Sequence, residues 1–217
     1  MQISFELASA EAANDLKLYL NRLLRIDEGA VKLQISGDVL AVWGAAIWPK
    51  SITDPSPTAL GLRTFRITPQ ESATYEVGAS LLSNSIADDG KVSLEVADTR
   101  LQAAWLGQTP PRADWELLGE ITAAALENEA IDAANEVTDS TPLNSGALVV
   151  DKIRAVVWGR KSKTWDGPLP KAASFAMLAL GFLSPLEKVT LFRSGSWLRL
   201  TSSRGHVLVK ALVESVD

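Results

Sequence analysis

His206 is the single histidine of the chain, and histidine is the side chain whose ordinary pKa lies nearest neutrality. As a general base it would need a cleft and a nucleophile beside it. It follows Arg204-Gly205 at a predicted strand start, with Leu208 and Leu212 on the same strand face. That setting favours a structural imidazole satisfied by a turn. No G-x-S-x-G elbow and no S-x-x-K is present, so acyl transfer has no motif to rest on. The phosphate-binding loop and the dinucleotide fingerprint are missing too, since the glycines are scattered singly. Glu129, Asp132 and Glu136 share one face of a predicted helix. Carboxylates of this kind bind hard cations in other settings, but no EF-hand loop accompanies them, and a solvated helix face is the simpler reading.

The most suggestive segment is Trp158-Gly-Arg-Lys-Ser-Lys-Thr-Trp165. Arg160, Lys161 and Lys163 lie between two indoles, an arrangement in which bases stack while cations meet phosphate. Arg193, Arg199 and Arg204 extend the charge along the strands that follow. Trp158, Arg160, Lys161, Lys163, Arg204 and His206 are therefore the candidate ligand- or partner-binding residues. No catalytic residue, metal ligand or cofactor is assigned.

The chain has 217 residues and no cysteine. Disulfides, thiolate zinc sites, iron–sulfur ligation and cysteine nucleophiles are thereby excluded. One histidine rules out multi-histidine metal sites within one chain. Hydrophobic residues make up 47% and charged residues 22%, an ordinary globular balance. The longest apolar stretch, 172–183, falls short of the ~20 residues that cross a bilayer. No basic segment precedes an apolar stretch at the start, so no signal peptide is read, and a cytoplasmic setting without membrane contact is expected. The net charge is −5, unevenly spread. Residues 151–217 carry 11 Lys and Arg against 5 Asp and Glu, while residues 1–150 carry 10 against 21. A basic end on an acidic body either meets an anionic partner or balances charge within one globule. The seven tryptophans (43, 48, 105, 115, 158, 165 and 197) favour large cores or contact surfaces.

These residues need elements to hold them. Residues 3–7 alternate as a strand, and Ser9 caps the helix that follows. Residues 31–35 and 39–47 read as two strands split by a hairpin turn at Ser36-Gly37-Asp38. A strand at 62–67, a helix at 77–86 and a second hairpin, 92–97 with 101–106, complete the first part. Gly107-Gln-Thr-Pro-Pro-Arg112 reads as a stiff linker. Beyond it come 115–121 (strand or early helix), a helix at 123–136, and 149–158, which suits helix or strand equally. A helix at 171–183, apolar all round, and three strands at 189–193, 197–201 and 206–213 finish the chain.

The two parts echo each other. Ala79-Ser80-Leu81 opens the helix before one hairpin and Ala173-Ser174-Phe175 the helix before the other. Lys91-Val92-Ser93-Leu94 begins the first hairpin and Lys188-Val189-Thr190-Leu191 the second. Leu101 and Leu198 follow at the same distance. Phe5-Glu6-Leu7 and Trp115-Glu116-Leu117 each precede a helix. The second copy is shorter, by about the size of one hairpin strand with its turn. The expected fold is α+β: two similar β-α-β-α-β-β modules with antiparallel sheets, at 1–107 and 113–217, the second ending in a three-stranded antiparallel meander.

That element order resembles the modules of DNA sliding clamps, best over residues 75–106. The resemblance implies sheets outside, helices on one face, and a ring around DNA with basic residues on those helices. The helix near 115–136 departs from this, since it carries Glu116, Glu120, Glu127, Glu129, Asp132 and Glu136 and no Lys or Arg. Such a face repels phosphate. Three stretches, Ala155-Val-Val-Trp-Gly-Arg160, residues 172–183, and Trp197-Leu-Arg-Leu with Arg204-Gly-His-Val-Leu-Val209, are similar to a group of uncharacterised actinobacterial proteins with no assigned activity. The resulting expectation is a non-catalytic, cytoplasmic binding or scaffold protein with a protein partner or self-association as a homodimer. The alternatives are a nucleic-acid-associated protein using the basic end and an enzyme acting on an anionic substrate with His206 as base.

Overall fold

The computed structural model describes residues 2–27, 29–51, 53–95 and 103–212. Strand β1 (Gln2–Glu6) leads into helix α1 (Ala10–Ile26). Ser9 caps α1, its hydroxyl accepting from the Ala12 amide at 3.1 Å, and Glu11 sits in the first turn. Strands β2 (Ala30–Ile47) and β3 (Ala59–Gly78) follow, then helix α2 (Ala79–Ser85) and strand β4 (Lys91–Glu95). A 3-10 turn at Ala104–Gly107 opens the crossing to strand β5 (Glu116–Thr122). Helices α3 (Ala123–Ser140), α4 (Ala147–Gly159) and α5 (Ala172–Ala179) precede strands β6 (Lys188–Ser194), β7 (Trp197–Ser202) and β8 (Gly205–Lys210). None of the described helices is long and apolar enough to cross a membrane.

The echo in sequence is an echo in structure. β1 pairs antiparallel with β4, and β5 with β6. Lys91 and Lys188 open the second strand of each pair, Lys91 opposite Glu6 and Lys188 opposite Thr122. Each first strand runs into a long helix, and each second strand follows a short one. Between those helices the first part has the β2–β3 hairpin, and the second has α4 instead. Six strands form one antiparallel sheet in the order β2-β3-β8-β7-β6-β5, while β1 and β4 form a separate pair. The β3–β8 pairing, Ala59–Leu62 against His206–Val209, ties the two parts together.

Several expectations need correction. Residues 36–38 are not a hairpin turn. β2 runs through them, and its register against β3 shifts on either side of Gly37. Gly37 has φ +60, which glycine adopts without strain, so the kink is a bulge within one strand. The β2–β3 hairpin instead closes at the Ile47–Ala59 pair. The strand read at 62–67 extends to Gly78, so the helix expected from residue 77 begins at Ala79. Of the second hairpin, β4 is present; 96–102, including Leu101, lie outside the described residues, and 104–107 are a 3-10 turn rather than strand. The segment 149–158 is helix. The helix expected over 171–183 ends at Ala179, with Gly181 in the left-handed region at φ +70. β8 stops at Lys210, and Val213 lies outside the described residues.

The main core lies between the helices and one face of the sheet. Gly44 and Gly61 are register partners on that face. A Cβ at Gly44 would lie 2.4 Å from Leu23 Cδ1, and one at Gly61 2.4 Å from Leu180 Cδ1. Two bare positions side by side therefore let α1 and the end of α5 settle on the strands. Tyr19 stacks on Phe182, centroids 5.6 Å apart. α5, with Ala172, Ala173, Ala176 and Met177 fully buried, is a core helix, as its all-apolar surface requires.

Candidate functional site

The opposite face of the six-stranded sheet is built differently. Side chains alternate along each strand, so register defines the rows. One row runs Ala45, Leu60, Leu208, Arg199, Phe192 across five strands. The next runs Trp43, Leu62, His206, Thr201, Thr190. Ala45, Leu60, Leu208 and Trp197 join Trp105 and Leu106 of the crossing segment in a second, smaller apolar cluster, with Trp43 and Trp115 packed on it. Residues 105–112 thus form a wall over part of the face and leave a groove of about 670 Å³ beside it. That volume is of the size that takes small organic ligands.

Anchors fix the walls. The Trp43 indole N–H donates to Gln34 Oε1 at 2.8 Å, and the Trp115 indole N–H to the Pro111 carbonyl at 3.2 Å. Lys32 Nζ donates to the Leu106 carbonyl. Burial holds the Lys32 amine below its ordinary pKa, against the opposing pull of Glu76. The Arg199 guanidinium lies 4.6 Å from the Trp115 ring centroid and 4.4 Å from that of Phe192, geometry that cation–π attraction favours. Its Nε is buried with no hydrogen-bond partner among the described residues, an omission that costs about 1–3 kcal/mol for a buried polar group. Burial lowers its pKa, and no carboxylate offsets this among the described residues. His206 Nδ1 lies 3.0 Å from Thr201 Oγ1. Burial, with the charge of Arg199 as a second cause, lowers the imidazole to about 4, so it is neutral at physiological pH. The described lining contains Lys32, Arg112 and Arg199 and no Asp or Glu.

The residues singled out from sequence fall into separate places. His206 lines this groove. Trp158 is buried on the helix side, its ring 4.4 Å from that of Phe175. Arg160 pairs with Glu136, which Lys171 also reaches at 3.4 Å. Partial burial opposes ionisation of Glu136, but the bonds and charges of Arg160 and Lys171 prevail and hold its carboxyl below the usual range. Lys161 pairs with Asp166 at 3.1 Å. Lys163 donates its backbone N–H to Glu129 Oε1 at 2.6 Å and leaves its side chain exposed. Arg204 reaches the Leu183 carbonyl at the β7–β8 turn. Of the three arginines on the last strands, only Arg199 faces the groove. Glu129 is not on the solvated face with Asp132. It is buried and accepts from Ser162 Oγ at 2.8 Å, from Ser174 Oγ and from the Lys163 amide, so it fastens the 158–170 loop to α3 and α5. No group of three or more metal-ligating side chains occurs among the described residues.

Sequence reading alone passed over Lys32, Trp43, Trp105 and Trp115 as a set. The signal was there in part: tryptophans 43, 105 and 115 are three of seven, and two flank the proline-rich crossing segment.

Antiparallel strand–helix modules, a six-stranded sheet shared between them and helices packed on one of its faces define a clamp-like fold. Among solved structures the chain is similar to the DNA polymerase sliding clamp of Pseudomonas aeruginosa, at 13% identity and TM-score 0.52, covering 100% of this chain and 66% of that one. It is similar to Caulobacter crescentus pol III beta with the same values, and to an H. pylori beta clamp solved with diflunisal, at 13% identity and TM-score 0.53, covering 100% and 65%. At this identity the likeness is one of fold, and the chain spans just under two thirds of the length of those clamps. By family, residues 1–107 match a domain of unknown function (DUF8010), and residues 110–213 match another domain of unknown function (DUF8185). No curated protein matches the chain.

Proposed function

We propose that the chain is a non-catalytic binding protein on a clamp-like scaffold, organised as modules 1–107 and 113–217, and that the groove on the outer sheet face is its binding site. The observation that carries this reading is the lining: anchored indoles, an apolar floor and three cations, with no described carboxylate. The groove joins strands of both modules, so an occupant would hold them together. An enzyme using His206 as base fits the site less well. The hydroxyl beside the imidazole is Thr201, a cross-strand partner on the sheet, and a base with pKa about 4 is weak at neutral pH.

The test uses the indole N–H signals of the seven tryptophans in a 1H–15N correlation spectrum. Titrated with the neutral probe 1-naphthalenemethanol, Trp43, Trp105 and Trp115 are expected to shift and Trp158 to stay in place. Absence of any shift in the groove tryptophans overturns the reading. The partner chemistry includes self-association, supported by β2 and β5 standing at the edges of the sheet among the described residues and by Leu117 standing 61% exposed on β5. Sedimentation velocity across a hundredfold concentration range tests it: a single monomeric species throughout removes the homodimer.

A second reading, nucleic-acid association through the basic end, rests on the cationic surplus of residues 151–217. Against it stand the pairing of Arg160 and Lys161 with carboxylates and the exposed acids Glu127, Asp132 and Asp139 on α3. Fluorescence anisotropy with duplex and single-stranded DNA at low and moderate salt decides it. No salt-sensitive binding is expected.

A further inference from the structure

We propose that the groove takes a small aromatic oxyanion, its charged head beside Arg199 and His206 and its ring on Leu62 and Leu208 between Trp43 and Trp115. This rests on the reading of the groove as the binding site and adds the chemistry of the occupant.

Acidic residues outnumber basic ones in the chain, 26 to 21, yet the described lining holds three cations and no acid. Arg199 is the centre of this field. It is partly buried, and its neighbours are the rings of Trp115 and Phe192. A guanidinium fork is shaped for the two oxygens of a carboxylate or phosphate head. His206 adds no second positive charge there. Its Nδ1 is engaged with Thr201, so Nε2 is the ring's remaining polar atom.

The body of the ligand follows from the floor. Leu60, Leu62 and Leu208 form an apolar patch next to the charged end, which suits an amphipathic molecule rather than a bare ion. Because Trp43 and Trp115 have their N–H groups tied down, ring faces and edges are what they offer, and these favour aromatic partners. A nucleic-acid strand is disfavoured by the same lining. It needs a run of cations along its backbone, and here Lys32 is already engaged with the Leu106 carbonyl.

The experiment compares 1-naphthoate, 1-naphthyl phosphate, 1-naphthalenemethanol and acetate on the whole chain. Tryptophan emission gives the affinity, and the ring signal of the single histidine gives the site. The naphthyl anions are expected to bind saturably, at least tenfold tighter than the neutral alcohol, and to raise the His206 pKa, because an adjacent anion favours the imidazolium. The better of carboxylate and phosphate identifies the head group. Arg199→Met is expected to remove the tenfold preference of anion over alcohol. The comparison of anion with alcohol on the unsubstituted protein stands even if that variant does not fold. Equal affinity for alcohol and anion overturns the oxyanion and leaves the groove as a binding site. Acetate binding as tightly as naphthoate overturns the aromatic body. No response of the groove tryptophans or of His206 to any probe overturns both readings.

Discussion

Two neighbouring rows of the same sheet, one residue apart, have opposite characters. The row Gly61, Val207, Leu200, Leu191 faces the helices, and its three side chains are wholly buried. The row Leu62, His206, Thr201, Thr190 faces the other way and has no fully buried member. The helix side is filled mainly by apolar contact, with the Glu129–Ser162–Ser174 hydrogen bonds and the Tyr19 hydroxyl among its buried polar groups. The outer face keeps the partly buried Arg199 guanidinium between two rings, and a neutral imidazole. One face is closed under helices, and the other carries partly exposed polar side chains along a groove.

The sharpest way to break this contrast is truncation at matched positions. Leu200→Ala should cost about 4 kcal/mol, since a fully buried leucine leaves a cavity that a sheet under helices cannot close. Leu62→Ala, on the half-covered face, should cost about 1 kcal/mol or less. Urea denaturation of both variants measures the difference, and equal losses would mean that the outer face is core as well.

The next effect belongs to His206. Its folded pKa is about 4 against an ordinary 6.5, so the unfolded chain takes up the proton first. Stability linked to this group is intact above about pH 6.5 and is lost as pH falls from there through 4. The shift corresponds to a loss of about 3 kcal/mol at the acid end. His206→Gln should flatten that part of the stability–pH curve, measured as the urea midpoint at pH 7.5 and at 4.5.

Gly61→Ala should cost about 2 kcal/mol through overpacking against Leu180 and Tyr19. Gly107→Ala, where a new Cβ meets nothing within 4 Å, should leave the melting temperature unchanged. Arg66→Ala should also cost little. Its pair with Asp38 is solvent-exposed at both ends, 70% and 47%, and less than about 0.5 kcal/mol should be lost.

Much of the scaffold is legible in the chain, for local reasons. Ser9 marks the start of α1, the all-apolar run marks α5 as core, and the paired Lys-Val openings at 91 and 188 mark equivalent strands. Gly37 misleads, because a glycine flanked by Ser and Asp carries the same local signal in a bulge as in a turn, and only pairing with β3 tells them apart. The segment 149–158 misleads because a buried helix and a buried strand have the same composition. The site is the least legible part. Trp43, Leu62, Arg199 and His206 come together through register across four strands, and no spacing in sequence encodes a register that forms only when β3 meets β8. The segment 158–165, so suggestive as a string, is held locally by Glu129, Glu136 and Asp166, and its first tryptophan is spent on packing.

The β3–β8 seam also has a consequence for biosynthesis. β3 is complete when residue 78 has left the ribosome, but its partner is made only with residues 205–210. Throughout that interval the long hairpin carries an unclaimed row of backbone donors and acceptors from Ala59 to Leu62, next to Leu60. The nascent chain must therefore guard a sticky edge until β8 emerges, and chaperone dependence should end abruptly when that strand closes it.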